Sequence, residues 1–221
     1  MPGKVIIWGA GGHAKVVADI LLRTGFTLAG LIDDVRPSPR RASFGETTIL
    51  GGATELAAAY AVGIRQGIVG FGANERRVAA GAVLESLGFE LVCAIHPSAI
   101  LAMDTSVGAG STIAAGVILN PSTMVGKCVI VNTRASIDHD CIVQDGVHVG
   151  PGATIAGHVE IGAGAWIGIG ATVIDRKRIG AGAIVAAGSV VIDDVPAGVV
   201  VMGAPARAVR DVSGLKTELN S

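Results

Sequence analysis

Apolar residues recur every six positions through the second half of the chain. They run from Ile95, Leu101 and Val107 to Val185 and Val191, seventeen positions in all, each Ile, Leu or Val. Glycine is common three places later, at Gly110, Gly116, Gly146, Gly152, Gly164, Gly170, Gly182 and Gly188. A period of six is neither helical nor strictly alternating, and it predicts a short strand plus a tight turn, repeated. Three such units make one triangular coil of eighteen residues. The aliphatics point inward and stack in columns about 4.8 Å apart, and the glycines take turn conformations with positive φ. Seventeen units make between five and six coils, enough for a stable solenoid.

The first half has a different pattern. Lys4–Trp8 reads as a strand, followed by the turn Gly9-Ala10-Gly11-Gly12-His13 and a helix over His13–Arg23, with Gly25 closing it. Strands are predicted at Thr27–Ile32, Gly67–Phe71 and Glu90–Ile95, helices at Thr54–Ala61 and Glu75–Leu87, and a polar loop at Pro37–Arg41. This alternation predicts a small, Rossmann-like parallel-sheet domain. The expected division is 1–94 for that α/β domain, 95–196 for the β-solenoid and 197–221 for a C-terminal tail.

Composition agrees with a narrow core. Half the 221 residues are hydrophobic but only 3% are aromatic, and 33 are glycine. A net charge of −1 provides no electrostatic footprint for nucleic acid or an anionic membrane. Cys93, Cys128 and Cys141 are odd in number and widely spaced, which argues against a disulfide framework and a C-x-x-C metal site. No apolar run approaches the length of a spanning helix, and no signal-peptide pattern opens the chain. The expectation is a cytoplasmic protein that holds no metal and inserts in no membrane.

Two places carry candidate chemistry. His139 lies two residues after the inward Ile137, so its side chain is expected to leave a coil corner, where a histidine is often only a surface residue. Asp140 beside it can orient the imidazole and raise its basicity. Gly157 lies one coil further on, leaving space beside the ring. Cys141 is close enough to raise a thioester intermediate, but its place in the repeat matches inward small residues, which favours a packed thiol. The second place is Gly9-x-Gly11-x-x-Ala14 between a strand and a helix, a weak dinucleotide fingerprint whose backbone N–H groups suit phosphate. Asp33 and Asp34 end the next strand, and Gly72, Asn74 and Arg76 form a loop near the same crevice. Arg76 and Arg77 also read as a solvated helix start. His96 and His158 are assigned no role.

The chain resembles bacterial sugar O- and N-acetyltransferases of the sialic acid and nucleotide-linked 4-amino-sugar type. The resemblance rests on Gly9-Ala10-Gly11-Gly12-His13, Asp33-Asp34, Gly72-Ala73-Asn74-Glu75-Arg76, Asn132-Thr133, Ile137-Asp138-His139-Asp140, His148-Val149 and Gly203-Ala204-Pro205-Ala206-Arg207. It implies a left-handed parallel β-helix, a homotrimer, and acetyl-CoA bound in clefts between β-helices. It implies His139 as general base supported by Asp140, and His148 against the thioester. Gly157, Ile169 and Ala187 would hold acetyl-CoA, although relatives often carry glycine at the last. Gly11, Gly12, His13, Asp33, Asp34, Gly72, Asn74 and Arg76 would hold the nucleotide sugar. The expected reaction is N-acetylation of a nucleotide-linked 4-amino-4,6-dideoxy sugar, with UDP the first choice of nucleotide and GDP or dTDP as alternatives. O-acetylation of a sugar hydroxyl, a non-catalytic trimeric scaffold and a nicotinamide-dependent reductase are the competing readings.

Overall fold

The computed structural model describes residues 2–42 and 47–213. The chain opens with β1 (Lys4–Trp8), α1 (Gly12–Arg23), β2 (Thr27–Ile32), β3 (Arg40–Arg41), β4 (Thr48–Gly51), α2 (Glu55–Ala61), β5 (Gln66–Val69), α3 (Asn74–Ser86) and β6 (Glu90–Leu91). These strands form one sheet in the order β3-β4-β2-β1-β5-β6. All its pairings are parallel except β3 with β4, which turns part of the expected polar loop at Pro37–Arg41 into an edge hairpin. The apolar face of α1 (Ala14, Val17, Ala18, Ile20, Leu21) packs with Val5, Ile7 and Ile68 on one side of the sheet. Leu84 of α3 and Leu56 of α2 pack with Ile6, Trp8 and Val69 on the other.

The run Glu90–Ile95, expected as one strand, divides. Glu90–Leu91 closes the α/β sheet, whereas Ala94–Ile95 pairs with Thr112–Ile113 and begins the solenoid. The backbone N–H of Ala94 is captured by the Ser111 carbonyl at 2.9 Å, one coil ahead.

All seventeen aliphatic positions are the second residues of two-residue strands, and their partners lie eighteen residues away, as in Ile137 with Ile155 and Val149 with Ile167. The strands form three parallel sheets around one core of Val, Ile, Leu and Ala, the left-handed β-helix. Each fully buried aliphatic contributes roughly 1.5–3 kcal/mol, so the columns provide most of the driving force. The last parallel addition is Val199–Gly203 beside Ile184–Val185. It turns back antiparallel as Ala206–Asp211, so the expected tail contains a hairpin that covers the last coil with Val201 and Ala206. Residues 214–221 of that segment lie outside the described residues.

Candidate active site

His139 leaves the corner after Ser136–Ile137, exposed to solvent. Its Nδ1 lies 2.7 Å from Asp140 Oδ2. With that N–H donating to the carboxylate, Nε2 is the free acceptor. The hydrogen bond to Asp140 holds the imidazole above its ordinary pKa, and partial desolvation opposes it. The corner itself is fixed by Asp138, whose Oδ1 accepts the His139 backbone N–H at 2.8 Å and the Asn120 amide at 2.9 Å. Gly157 is where the register places it: a Cβ there would stand 2.7 Å from His139 Cε1 and 2.8 Å from Nε2. Gly157→Leu therefore has to displace the imidazole. We expect kcat to fall about a hundredfold or more, the lower range for losing a general base, while the melting transition of the coil is retained. Normal kcat in this variant would show that the space is not used. Cys141 is buried, with Sγ 3.1 Å from the Ala156 carbonyl, and burial pushes its thiol up from the ordinary value. A packed, protonated thiol is a poor nucleophile.

His148 lies on a different sheet, as the first residue of the strand His148–Val149. It is only 8% exposed, its ring 4.8 Å from that of Trp166 one coil later, and its Nε2 lies 3.2 Å from the Asn132 amide. Burial first, then the charge of Arg77, lowers its pKa to about 4, so it is neutral at ordinary pH. His13 is lowered to about 4 in the same way, by burial and then Arg77. His13 Nε2 and His148 Nδ1 are both buried without a hydrogen-bond partner.

Arg77 organises this seam between the two domains. Expected as a solvated helix residue, it is 1% exposed. Docking of α3 against the solenoid buries it, and its guanidinium donates to the carbonyls of Gly72, Cys128, Gly146 and Val147 and to Asn74 Oδ1. Burial lowers its pKa to about 10, which still leaves it charged. Asn74 extends the clamp, donating to the carbonyls of Gly164 and Ala165 at 2.9 and 3.1 Å.

A cleft of about 210 Å³ opens at the carboxyl end of the α/β sheet. Of the expected substrate residues it brings together Gly11, Asp33, Asp34 and Arg76, with Trp8 and Phe71 as aromatic walls. Gly12, His13, Gly72 and Asn74 are not among its walls; His13 and Asn74 belong to the seam. Asp34 is partly engaged by the protein, accepting from Trp8 Nε1 and the Ala53 backbone N–H, each at 2.7 Å. Asp33 pairs with Arg40. A second groove of about 260 Å³ runs from Asn74 and Arg76 to Gly164, Trp166 and Ile184. Ile169, 62% exposed, and Ala187 stand one coil apart on the corner that follows the His148 sheet, not on the Gly157 corner. Sequence reading gives Arg77 and His158 no role at the site and passes over Trp166. For Trp166 a signal existed, because it lies one coil beyond His148.

Residues 4–80 match the PglD N-terminal domain family. A GDP-perosamine N-acetyltransferase from Escherichia coli O157:H7 is 31% identical over 74 residues, a stretch that spans 34% of each chain. PerB from Caulobacter crescentus, in complex with CoA and GDP-perosamine, superposes with a TM-score of 0.90 and 37% identity, covering 94% of this chain and 98% of that one. The chain belongs to the bacterial hexapeptide-repeat sugar acetyltransferases. The acetyltransferase domain of PglB from Neisseria gonorrhoeae, in complex with acetyl coenzyme A, is similar at a TM-score of 0.86 and 32% identity, covering 95% of this chain and all of that one. Membership in this acetyltransferase family sets aside the scaffold and the reductase. Among the described residues, no helix is long and apolar enough to cross a membrane.

Proposed function

We propose that this chain transfers acetyl from acetyl-CoA to the 4-amino group of a nucleotide-linked 4-amino-4,6-dideoxy sugar, with His139 as general base. The observation that carries this reading is the His139–Asp140 pair, its imidazole packed against Gly157, on a chain that also carries a Gly-rich cleft with two carboxylates at a sheet's carboxyl end. The neutral amine attacks the thioester carbonyl and a C–N bond forms. His139 Nε2 takes the ammonium proton, Asp140 holding the imidazolium. The C–S bond then breaks, and the CoA sulfur leaves with that proton. No enzyme nucleophile is required, which fits the packed thiol of Cys141. Gly157, Ile169 and Ala187 contribute backbone contacts to acetyl-CoA, and neutral His148 meets the thioester. O-acetylation of a hydroxyl is the alternative.

The assembly follows from the corners. The α/β domain docks on the corner entering the His148 sheet, through Cys128, Gly146 and Gly164. His139 leaves another corner, between Ile137 and Ile142. One chain cannot close a site from both, so a homotrimer packed along its β-helices is the proposed unit, with His139 of one subunit facing the cleft of the next.

For the nucleotide, UDP is the first expectation, but a 38%-identical structure in complex with GDP-perosamine favours guanosine diphosphate. A thermal-shift panel tests this, because a ligand bound by the folded state raises its melting temperature. GDP should raise it more than UDP or dTDP, and acetyl-CoA should raise it further. If acetyl-CoA stabilises the protein and none of the diphosphates does, the nucleotide-sugar reading is wrong.

A further inference from the structure

The turn position three places after each inward aliphatic from Val107 to Val185 takes a left-handed backbone. Glycine fills it at Gly110, Gly116, Gly146, Gly152, Gly164, Gly170, Gly182 and Gly188, all with φ between 64° and 75°. Six other residues adopt the same conformation: Ser122, Cys128, Arg134, Asp140, His158 and Arg176. They are not spread evenly. Ser122, Asp140, His158 and Arg176 follow one another at eighteen-residue intervals up a single corner, while the other two corners have one exception each. A side chain in this conformation costs about 1 kcal/mol or more relative to glycine. Four in succession mark a corner where side chains are wanted, and it is the corner that carries His139.

His158 has a definite place on it. Its Nε2 lies 3.7 Å from Asp140 Oδ2, the same oxygen that accepts from His139 Nδ1 at 2.7 Å. The two imidazoles meet edge to face, centroids 5.1 Å apart, and the His158 backbone N–H donates to the His139 carbonyl at 2.9 Å. We infer that His158 is a positioning residue for the transfer: by facing the Asp140 oxygen that holds His139, it sets how strongly that carboxylate supports the base. This rests on the reading of His139 as base, but its electrostatics do not.

The groups around His139 set the sign. Asp140 and Asp138 favour its protonated form, and Arg176, paired with Asp175 two coils on, opposes it. His158 also opposes it, by drawing on the same Asp140 carboxylate oxygen. Removing His158 therefore makes His139 more basic. His139 then stays protonated to higher pH, and the acidic limb of kcat/KM moves upward.

His158→Gly and His158→Asn suit the test because both residues accept a left-handed backbone, so loss of folding is not expected. The chain has five histidines, and ring-labelled histidine yields five signals, of which His139→Ala identifies one. Both His158 variants should raise the midpoint of the His139 signal. On the acidic limb they should lower kcat/KM by about two- to fivefold, the size of a partly exposed charge interaction, with acetyl-CoA KM unchanged. Combined with Asp140→Asn, the effect of either variant should fall to less than half. An unmoved His139 midpoint, or a shift just as large without the Asp140 carboxylate, overturns the inference. A midpoint that moves while the kcat/KM profile stays in place would instead count against His139 as the base.

Discussion

His139→Ala should lower kcat by roughly a hundred- to ten-thousand-fold, the range for losing a general base. The amine cannot shed its proton as the C–N bond forms unless an acceptor stands beside it, and Nε2 is the free nitrogen at this corner. Acetyl-CoA affinity should survive, because backbone along the cleft is proposed to hold it. Asp140→Asn should cost less, since it only weakens the orientation and basicity of the ring. It should also move the acidic limb downward, because a less basic His139 stays neutral at lower pH. Kinetics at saturating acceptor, with a pH profile, check all three. Near-normal kcat in His139→Ala would rule out direct transfer through this base and return Cys141 and His148 to consideration.

Arg77→Ala should be the most damaging substitution away from the chemistry. It removes a guanidinium that satisfies four backbone carbonyls and the Asn74 side chain across the domain seam. Leaving such acceptors buried without a donor costs on the order of 3–5 kcal/mol. For a chain of this size that is a fall of roughly 10 °C in the first melting transition. Arg77→Lys should recover only part of it, because an ammonium cannot reproduce the planar fork. Calorimetry showing an unchanged transition would mean that the clamp carries little of the docking energy.

These two residues also mark what was readable in the chain. The six-residue period fixes which side chains point inward, and from that follows the contact of Gly157 with His139. The same register contained two more contacts, Trp166 on His148 and His158 beside Asp140. They went unread because period shows that residues share a column, not which exposed neighbours matter. Arg77 left no trace. A polar residue in the first turn of a helix reads as solvated, and only docking against Cys128 and Gly146, far away in sequence, makes it a buried clamp. Asn74 reads as a loop residue beside the crevice, but it opens α3 and its amide turns toward the solenoid. The split of Glu90–Ile95 was hidden because the apolar run is continuous across a boundary set by hydrogen bonds to the next coil.

The most direct measurement is a paired reaction with two acceptors that differ only at C4. One is a GDP-linked 4-amino-4,6-dideoxy sugar and the other its 4-hydroxy counterpart, each mixed with acetyl-CoA. Free CoA thiol is followed against time and the sugar product by mass. The account predicts one thiol released per acetyl group gained by the amino sugar, with the hydroxyl sugar unchanged. Acetylation of the hydroxyl sugar at a comparable rate, or thiol release with no acetylated sugar, would contradict it.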